Sequence, residues 1–244
     1  MPRTTINQLM DNDTADSTTH AVLSYHIEAK VRELSDAFVD KRLKVSARPA
    51  MFDAYAKEWL DMCQSANEFT VVEAKVLGRL NAGLGNAAIH EVGFSFHHTF
   101  GVPYLPGSTI KGWLASFAKQ HVDGLPDAVR ETMFGTHDKS GVVIFHDALP
   151  KNKQNIEIAT DIVNPHQKYY YRGTHNDAPS DMDSPTPVQF VTVVKGTTFC
   201  IPIQCVDVDY RNLAVGVLKM ALEHSAIGAK TNAGYGRMQY VRTT

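Results

Sequence analysis

The residues whose types and spacing could do chemistry lie near the end of the 244-residue chain, in Ile227-Gly228-Ala229-Lys230-Thr231-Asn232-Ala233-Gly234-Tyr235-Gly236-Arg237. Glycines set this closely serve where the backbone takes positive φ or lets another backbone approach, and successive N–H groups in such turns can form a concave anion site. Lys230 and Arg237 would supply charge. No acid follows Glu223, while Lys230, Arg237 and Arg242 remain, so this end is basic within a chain of formal charge -2. The pattern points to phosphate. It is not a nucleotide P-loop, because Gly228-Ala229-Lys230-Thr231 lacks the earlier glycine of G-x-x-x-x-G-K-[ST]. The stretch follows an expected helix, whose C-terminus carries partial negative charge, so any anion must be held by turn amides and basic side chains. The plain alternative is a turn between a helix and an edge strand.

A second stretch reads Leu105-Pro106-Gly107-Ser108-Thr109-Ile110-Lys111-Gly112-Trp113-Leu114. Ser108 after Pro-Gly is the expected N-cap, and Ile110, Trp113, Leu114 and Phe117 fall on one helix face. Lys111 stands in the first turn, where a cation opposes the helix dipole by a few tenths of a kcal/mol. A helix N-terminus that adds a lysine to its free N–H groups suits an anion, and no acid occurs between Glu91 and Asp123. The competing reading is a lysine pointing into water. His97, His98, His146 and His166 are the candidates for general acid or base, since histidine titrates near neutrality. His146, Asp147 and His166 lack a recognised metal-ligand spacing, so neither metal nor cofactor is expected.

Composition bounds the rest. With 43% hydrophobic and 20% charged residues the chain is an ordinary globular one. No apolar run approaches the ~20 residues that cross a bilayer, and Met1 to His20 has no signal-peptide core, so a cytoplasmic protein without membrane contact is expected. Cys63, Cys200 and Cys205 show neither disulfide nor zinc spacing. A pI near 6.6 argues against free-standing non-specific nucleic-acid binding, leaving local patches or a groove shared with partners.

The elements that must position these residues follow from periodicity. Residues 1–20 read as a polar tail. Ile27, Val31, Leu34 and Phe38, then Met51, Phe52, Tyr55, Trp59 and Cys63, give two amphipathic helices joined by a charged connector. Thr70 to Leu80 reads as a strand, with Val72, Ala74 and Val76 on one face; Gly83-Leu84-Gly85-Asn86 turns it into a second arm, Ile89 to Phe100. After the helix at Ser108 come a short strand, Val142 to Phe145, and a long insertion over 149–187, whose stretch Asn176 to Pro187 reads as disordered alone. Val188 to Val194 and Thr197 to Val208 flank Lys195-Gly196 as a hairpin, followed by a helix, Asn212 to Ser225, and a last strand, Tyr235 to Val241. Strand, helix, strand, strand, helix, strand is the ferredoxin-like order, so the fold class is α+β. Its topology would bring Lys111, the insertion and the Gly-rich turn to one end of the sheet.

The two glycine-bearing stretches, at this separation, resemble the helix-opening motif and the C-terminal Gly-rich loop of the RAMP proteins of CRISPR systems. Gly101-Val102-Pro103-Tyr104, Asp161-Ile162-Val163-Asn164-Pro165-His166 and Ile227-Gly228-Ala229-Lys230-Thr231 are similar to the sixth-subunit family of Cmr-type (type III-B) effector complexes. The resemblance covers about residues 70–241. It implies a ferredoxin-like (RRM-like) RAMP domain over 68–244, with inserted hairpins and a long loop, after an N-terminal tail and helices over 1–67. It further implies a structural subunit, not an enzyme, that holds guide CRISPR RNA near its 3′ end and contacts target RNA, other RAMP subunits and the small helical subunit. Carried over as RNA contacts are Ser108, Lys111, Gly228, Lys230, Thr231, Asn232, Gly234, Tyr235, Gly236 and Arg237, with His166 and Tyr169 in the insertion. The aromatic signature that stacks bases on an RRM sheet is absent, so contact with backbone rather than base identity is expected. Two rivals stand beside this: a metal-independent endoribonuclease processing guide-RNA precursor through the histidines, and a protein scaffold that never touches RNA.

Overall fold

Phe69–Val76 (β2) occupies the middle of an antiparallel sheet because its alternate residues Val72, Ala74 and Val76 are all buried in the main core. The computed structural model describes residues 43–45, 50–86, 92–151, 156–164, 167, 170, 173, 185 and 187–244. The remaining elements are β1 (Leu43–Val45), α1 (Ala50–Ser65), α2 (Gly107–His121), α3 (Asp127–Phe134), β3 (Ile144–Phe145), β4 (Leu149–Pro150), β5 (Ile156–Val163), β6 (Val188–Val193), β7 (Thr198–Gln204), α4 (Val208–His224), a 3-10 turn (Thr231–Ala233) and β8 (Met238–Thr243). The architecture is mixed α+β. One sheet has the order β3-β7-β2-β8, with β4 also on β7, and a second runs β1-β5-β6; every pairing is antiparallel.

Helices α2 and α4 cover one face of the larger sheet. Ile110, Leu114, Phe117, Leu218, Ala221 and Leu222 meet Val72, Ala74, Ile201 and Ile203 there, an apolar layer of the kind that dominates folding free energy at roughly 25 cal/mol per Å². Helix α4 begins at Asp207, whose carboxylate accepts from the N–H groups of Asp209 and Tyr210. On the other face α1 lays Cys63, with Trp59 and Leu60, against Val71 and Cys200, while Phe52 and Ala56 pack on Leu149. The same burial pushes the Cys63 thiol up to about 11 and the Cys200 thiol to about 12.

Several expectations are corrected. The arms around Lys195-Gly196 do not pair with each other: β6 joins β5 and β7 joins β2, so the chain changes sheets within this turn. The reason is burial, since Phe199 to Ile203 is enclosed on both faces and needs a central position that a two-stranded hairpin cannot give. The insertion over 149–187 is not one long loop. It opens with β4 and β5, the latter carrying buried Ile156 and Ile158. Among the described residues 92–100 the second arm forms no regular strand: Gly93 and Ser95 donate to Leu84 O and Ala82 O across the turn, and Phe96 bridges Pro103. The charged connector contributes β1, and α3 was not expected at all. The helix expected around Ile27 to Phe38 lies outside the described residues.

Candidate functional site

The Gly-rich turn is built by left-handed backbone. Gly228, Gly234 and Gly236 have φ of 92, 91 and 76°, and Lys230, at φ 57°, is the one non-glycine residue with positive φ among the described residues. Lys230 is left-handed and the 3-10 turn Thr231–Ala233 that follows is right-handed, the alternation that points consecutive N–H groups into one concavity. The N–H groups of Lys230, Thr231 and Asn232 enter no hydrogen bond among the described residues. Most of the other amides are committed. Ile227 donates to Gly236 O (3.0 Å), Ala229 to Asn81 O (2.9 Å), Gly234 to Thr231 O (3.0 Å) and Gly236 to Arg79 O (2.8 Å).

The glycines therefore have different uses. A Cβ on Gly236 would stand 1.9 Å from Ile227 O and one on Gly228 would stand 2.2 Å from Asn81 O, whereas one on Gly234 would meet nothing within 4 Å. The backbone that approaches Gly228 and Gly236 is the chain's own, not a ligand's, and only Gly234 leaves open space.

Side chains fix the turn against the second sheet. Tyr235 Oη donates to Asp161 Oδ2 at 2.5 Å, and Arg79 Nη1 reaches the same carboxylate at 3.2 Å and Thr160 O at 3.0 Å. Burial first, then the bond to Asp161 and its charge, pushes the Tyr235 phenol up to about 12. Lys230 Nζ stands 4.9 Å over the ring of Phe190, whose other neighbour is Tyr235 at 5.7 Å between centroids. Arg237 is exposed and makes no ion pair among the described residues. Arg242, counted in the basic end, is spent on Glu73, with Nε and Nη2 at 2.9 and 2.7 Å from Oε1.

The start of α2 differs from the expectation. Ser108 is not the N-cap: the helix opens at Gly107 after Pro106 without a cap from its own side chains. Asp147, from the connection between β3 and β4, accepts the Gly107 N–H at 2.7 Å instead. The helix N-terminus thus already holds an anion brought from far along the sequence. Gly107 is required there, since a Cβ would stand 2.1 Å from Phe145 O. Lys111 is half-buried and forms no ion pair among the described residues. No hydrogen bond, ion pair or ring contact among the described residues joins Ser108 or Lys111 to the Gly-rich turn. The nearest link is Trp113 Nε1, which donates to Ser225 Oγ at 3.1 Å just before that turn. His166 and Tyr169 lie outside the described residues.

Ser108 lines a pocket of about 480 Å³ together with Tyr55, Trp59, His97, His146 and Asp147. Two of the candidate histidines, which no spacing in the chain brings together, do share this site. His146 Nε2 is 2.8 Å from Gln204 Oε1, and its ring is packed at 5.6 Å from Trp59 and 5.3 Å from Phe69. His97 packs against Phe100 with the rings tilted by 34° and 4.9 Å between centroids. No group of three or more potential metal ligands occurs among the described residues.

Sequence reasoning missed Arg79, Asn81, Asp161 and Phe190, the residues that hold the turn, and Asp147, which caps α2. Of these, Asp161 stands in a stretch that carries the resemblance, and Asp147 was weighed only as a metal ligand, not as a cap.

Known proteins bear on this geometry. The sequence profile of the RAMP superfamily matches residues 73–239. The CRISPR system Cmr subunit Cmr6 of Pyrococcus furiosus is 26% identical over 87% of this chain and 81% of its own length. Cmr6 of Saccharolobus solfataricus is also 26% identical, over 69% of this chain and 57% of its own length. A chain in the cryo-EM structure of the type III-B Cmr-beta bound to cognate target RNA superposes with a TM-score of 0.67 at 21% identity, covering 99% of this chain and 87% of that one, a likeness of fold. No helix of the described residues is long and apolar enough to cross a membrane.

Proposed function

This chain belongs to the RAMP superfamily, and from that premise we propose that it is a structural, RNA-binding subunit of a type III-B CRISPR effector complex, holding guide RNA near its 3′ end by backbone contacts. Its curated relatives are named as Cmr6 subunits, which supports membership of such a complex. The strand order β3-β7-β2-β8, with α2 and α4 on one face, is read as the ferredoxin-like arrangement of a domain over 68–244. Neighbouring RAMP subunits and a small helical subunit are the proposed protein partners.

The observation that carries the RNA reading is the turn at Lys230. Three consecutive N–H groups without partners among the described residues, a left-handed lysine and the exposed Arg237 stand together where the local sequence has no acid. That set matches a phosphodiester, which presents charge and acceptor oxygens but no donor. Lys230, Thr231, Asn232, Gly234 and Arg237 form the contact surface. Gly228, Gly236 and Tyr235 hold its shape. Lys111 and Ser108 make a second contact, beside a helix terminus that Asp147 already occupies.

Affinity purification of the chain, sequencing of the RNA that accompanies it and titration of that complex with salt test the proposal. Lys230→Ala and Arg237→Ala should each weaken binding for all sequences alike and reduce the salt slope by about one unit. Unchanged affinity and slope in folded, assembled variants would return the turn to a purely structural role.

One observation favours the nuclease reading: His97 and His146 share a pocket with Asp147. We still propose no cleavage by this subunit, because His146 is held by Gln204 and packed between Trp59 and Phe69. Guide-precursor cleavage by the purified chain that disappears in His97→Ala or His146→Ala would decide for the enzyme.

A further inference from the structure

On the face of the larger sheet opposite α2 and α4, helix α1 covers the end around Val71 and Cys200. The strand residues beyond it are charged. Glu73 and Lys75 share this face of β2, and their partners across the β2–β8 ladder are Arg242 and Gln239. Arg237 continues the same face, since Leu77 N donates to Arg237 O at 3.0 Å and Arg237 and Gln239 stand two positions apart, with Met238 between them. Lys151 enters from the other side, its Nζ 2.8 Å from Glu73 Oε2. Four cations thus accompany one acid on these strands.

That acid is sunk. Glu73 is 4% exposed and has both oxygens engaged, Oε1 by Arg242 and Oε2 by Lys151. One carboxylate cannot neutralise two cations, so the trio keeps an excess positive charge. The side chains of Arg242 and Lys151 stay 55% and 37% exposed, which leaves donors to spare. Glu73 orders both cations in advance, so less side-chain freedom remains to be lost when they meet an anion. Lys75, Gln239 and Arg237 are exposed and form no side-chain hydrogen bond or ion pair among the described residues, so no internal partner accounts for them.

We propose that this patch, Lys75, Lys151, Arg237, Gln239 and Arg242 over Glu73, is a further contact surface for the phosphodiester backbone of single-stranded RNA. Arg237 belongs both to the patch and to the Gly-rich turn, so one strand can pass from the turn onto the sheet without a break. The exposed residues are cations and an amide with no aromatic among them, so the patch holds backbone and does not stack bases. The inference rests on the reading that the chain grips RNA.

The test uses the full-length chain within the complex that purifies with it, and a labelled single-stranded RNA of mixed sequence. Arg242 and Lys151 are poor probes, because removing either exposes a buried carboxylate to a lost partner and threatens the fold. Lys75→Glu and Gln239→Glu carry no such burden. Each should lower affinity several-fold at low salt, and Lys75→Glu should also reduce the salt slope by about one unit. Unchanged affinity and slope in both variants would overturn the patch. Loss of a protein subunit with RNA affinity retained would also overturn it, assigning the face to an acidic protein surface. Lys230→Ala separates the two readings: loss there with Lys75→Glu silent leaves the turn and removes the patch, and the reverse leaves the patch and removes the turn.

Discussion

Gly236 and Gly234 offer a matched pair of perturbations. Both have positive φ, 76 and 91°, so alanine at either imposes a left-handed L-residue, which costs about 1–2 kcal/mol. They differ in surroundings. The new Cβ at Gly234 enters open space, while that at Gly236 would lie 1.9 Å from Ile227 O, which no rotamer can relieve because the backbone fixes the place of a Cβ and the other atom is a backbone carbonyl. Displacing that carbonyl adds an overpacking cost of about 1–3 kcal/mol. It also strains the bond by which Ile227 N donates to Gly236 O. The expected totals are about 1–2 kcal/mol for Gly234→Ala and about 2–5 kcal/mol for Gly236→Ala. At about 2–4 °C per kcal/mol for a chain of this size, melting points should fall by roughly 2–8 °C and 4–20 °C. Urea unfolding followed by far-UV circular dichroism reads both. RNA affinity should rank the other way once corrected for the folded fraction, because Gly234 borders the open side of the turn. Equal destabilisation at the two sites would refute the claim that Gly236 exists for a close backbone approach.

Two further expectations follow from buried or borrowed charge. Asp147→Ala should destabilise by about 1 kcal/mol through loss of the α2 cap, whereas Ser108→Ala should stay within about 0.5 kcal/mol; the reverse ranking in denaturant titrations would restore Ser108 as the cap. Burial acts to raise Glu73, but its bonds to Arg242 and Lys151 hold its carboxyl below the usual range, so its stabilisation is full above the unfolded pKa and fades as pH falls through the folded one. Urea midpoints from pH 7 to 3 should therefore drop less steeply below about pH 5 in Glu73→Gln than in the parent; identical slopes would remove Glu73 from the acid response.

How much was legible in the sequence depended on whether the deciding contact was local. The buried side of β2 and the helix from Gly107 could be read from periodicity, and the positive φ of three glycines from their crowding. The N-cap was misassigned because local rules favour Ser108 and cannot see Asp147 beyond the next helices. Lys195-Gly196 looks like a hairpin turn from either side, since a turn does not reveal which sheet each arm will join. Arg242 counted as free charge only until Glu73 was brought beside it across the ladder. Strand β5 was hidden for a similar reason: Ile156-Glu157-Ile158 alternates, but its worth as a strand comes from β1 and β6 on either side.

The central place of β2 has a consequence for biosynthesis. Its two neighbours, β7 and β8, both come from the last part of the chain, and the nearer of them lies beyond α2, α3 and the strands β3 to β6. At about 5–20 residues per second a ribosome would leave β2 without either partner for roughly 10 s. During that interval a strand with Val71, Val72, Ala74 and Val76 destined for the interior has its hydrogen-bonding edges open. The smaller sheet, whose β5 and β6 are close in sequence, can pair before the larger one is complete. Nascent chains halted before Thr198 should therefore bind holdase chaperones, and chains released after Thr243 should not.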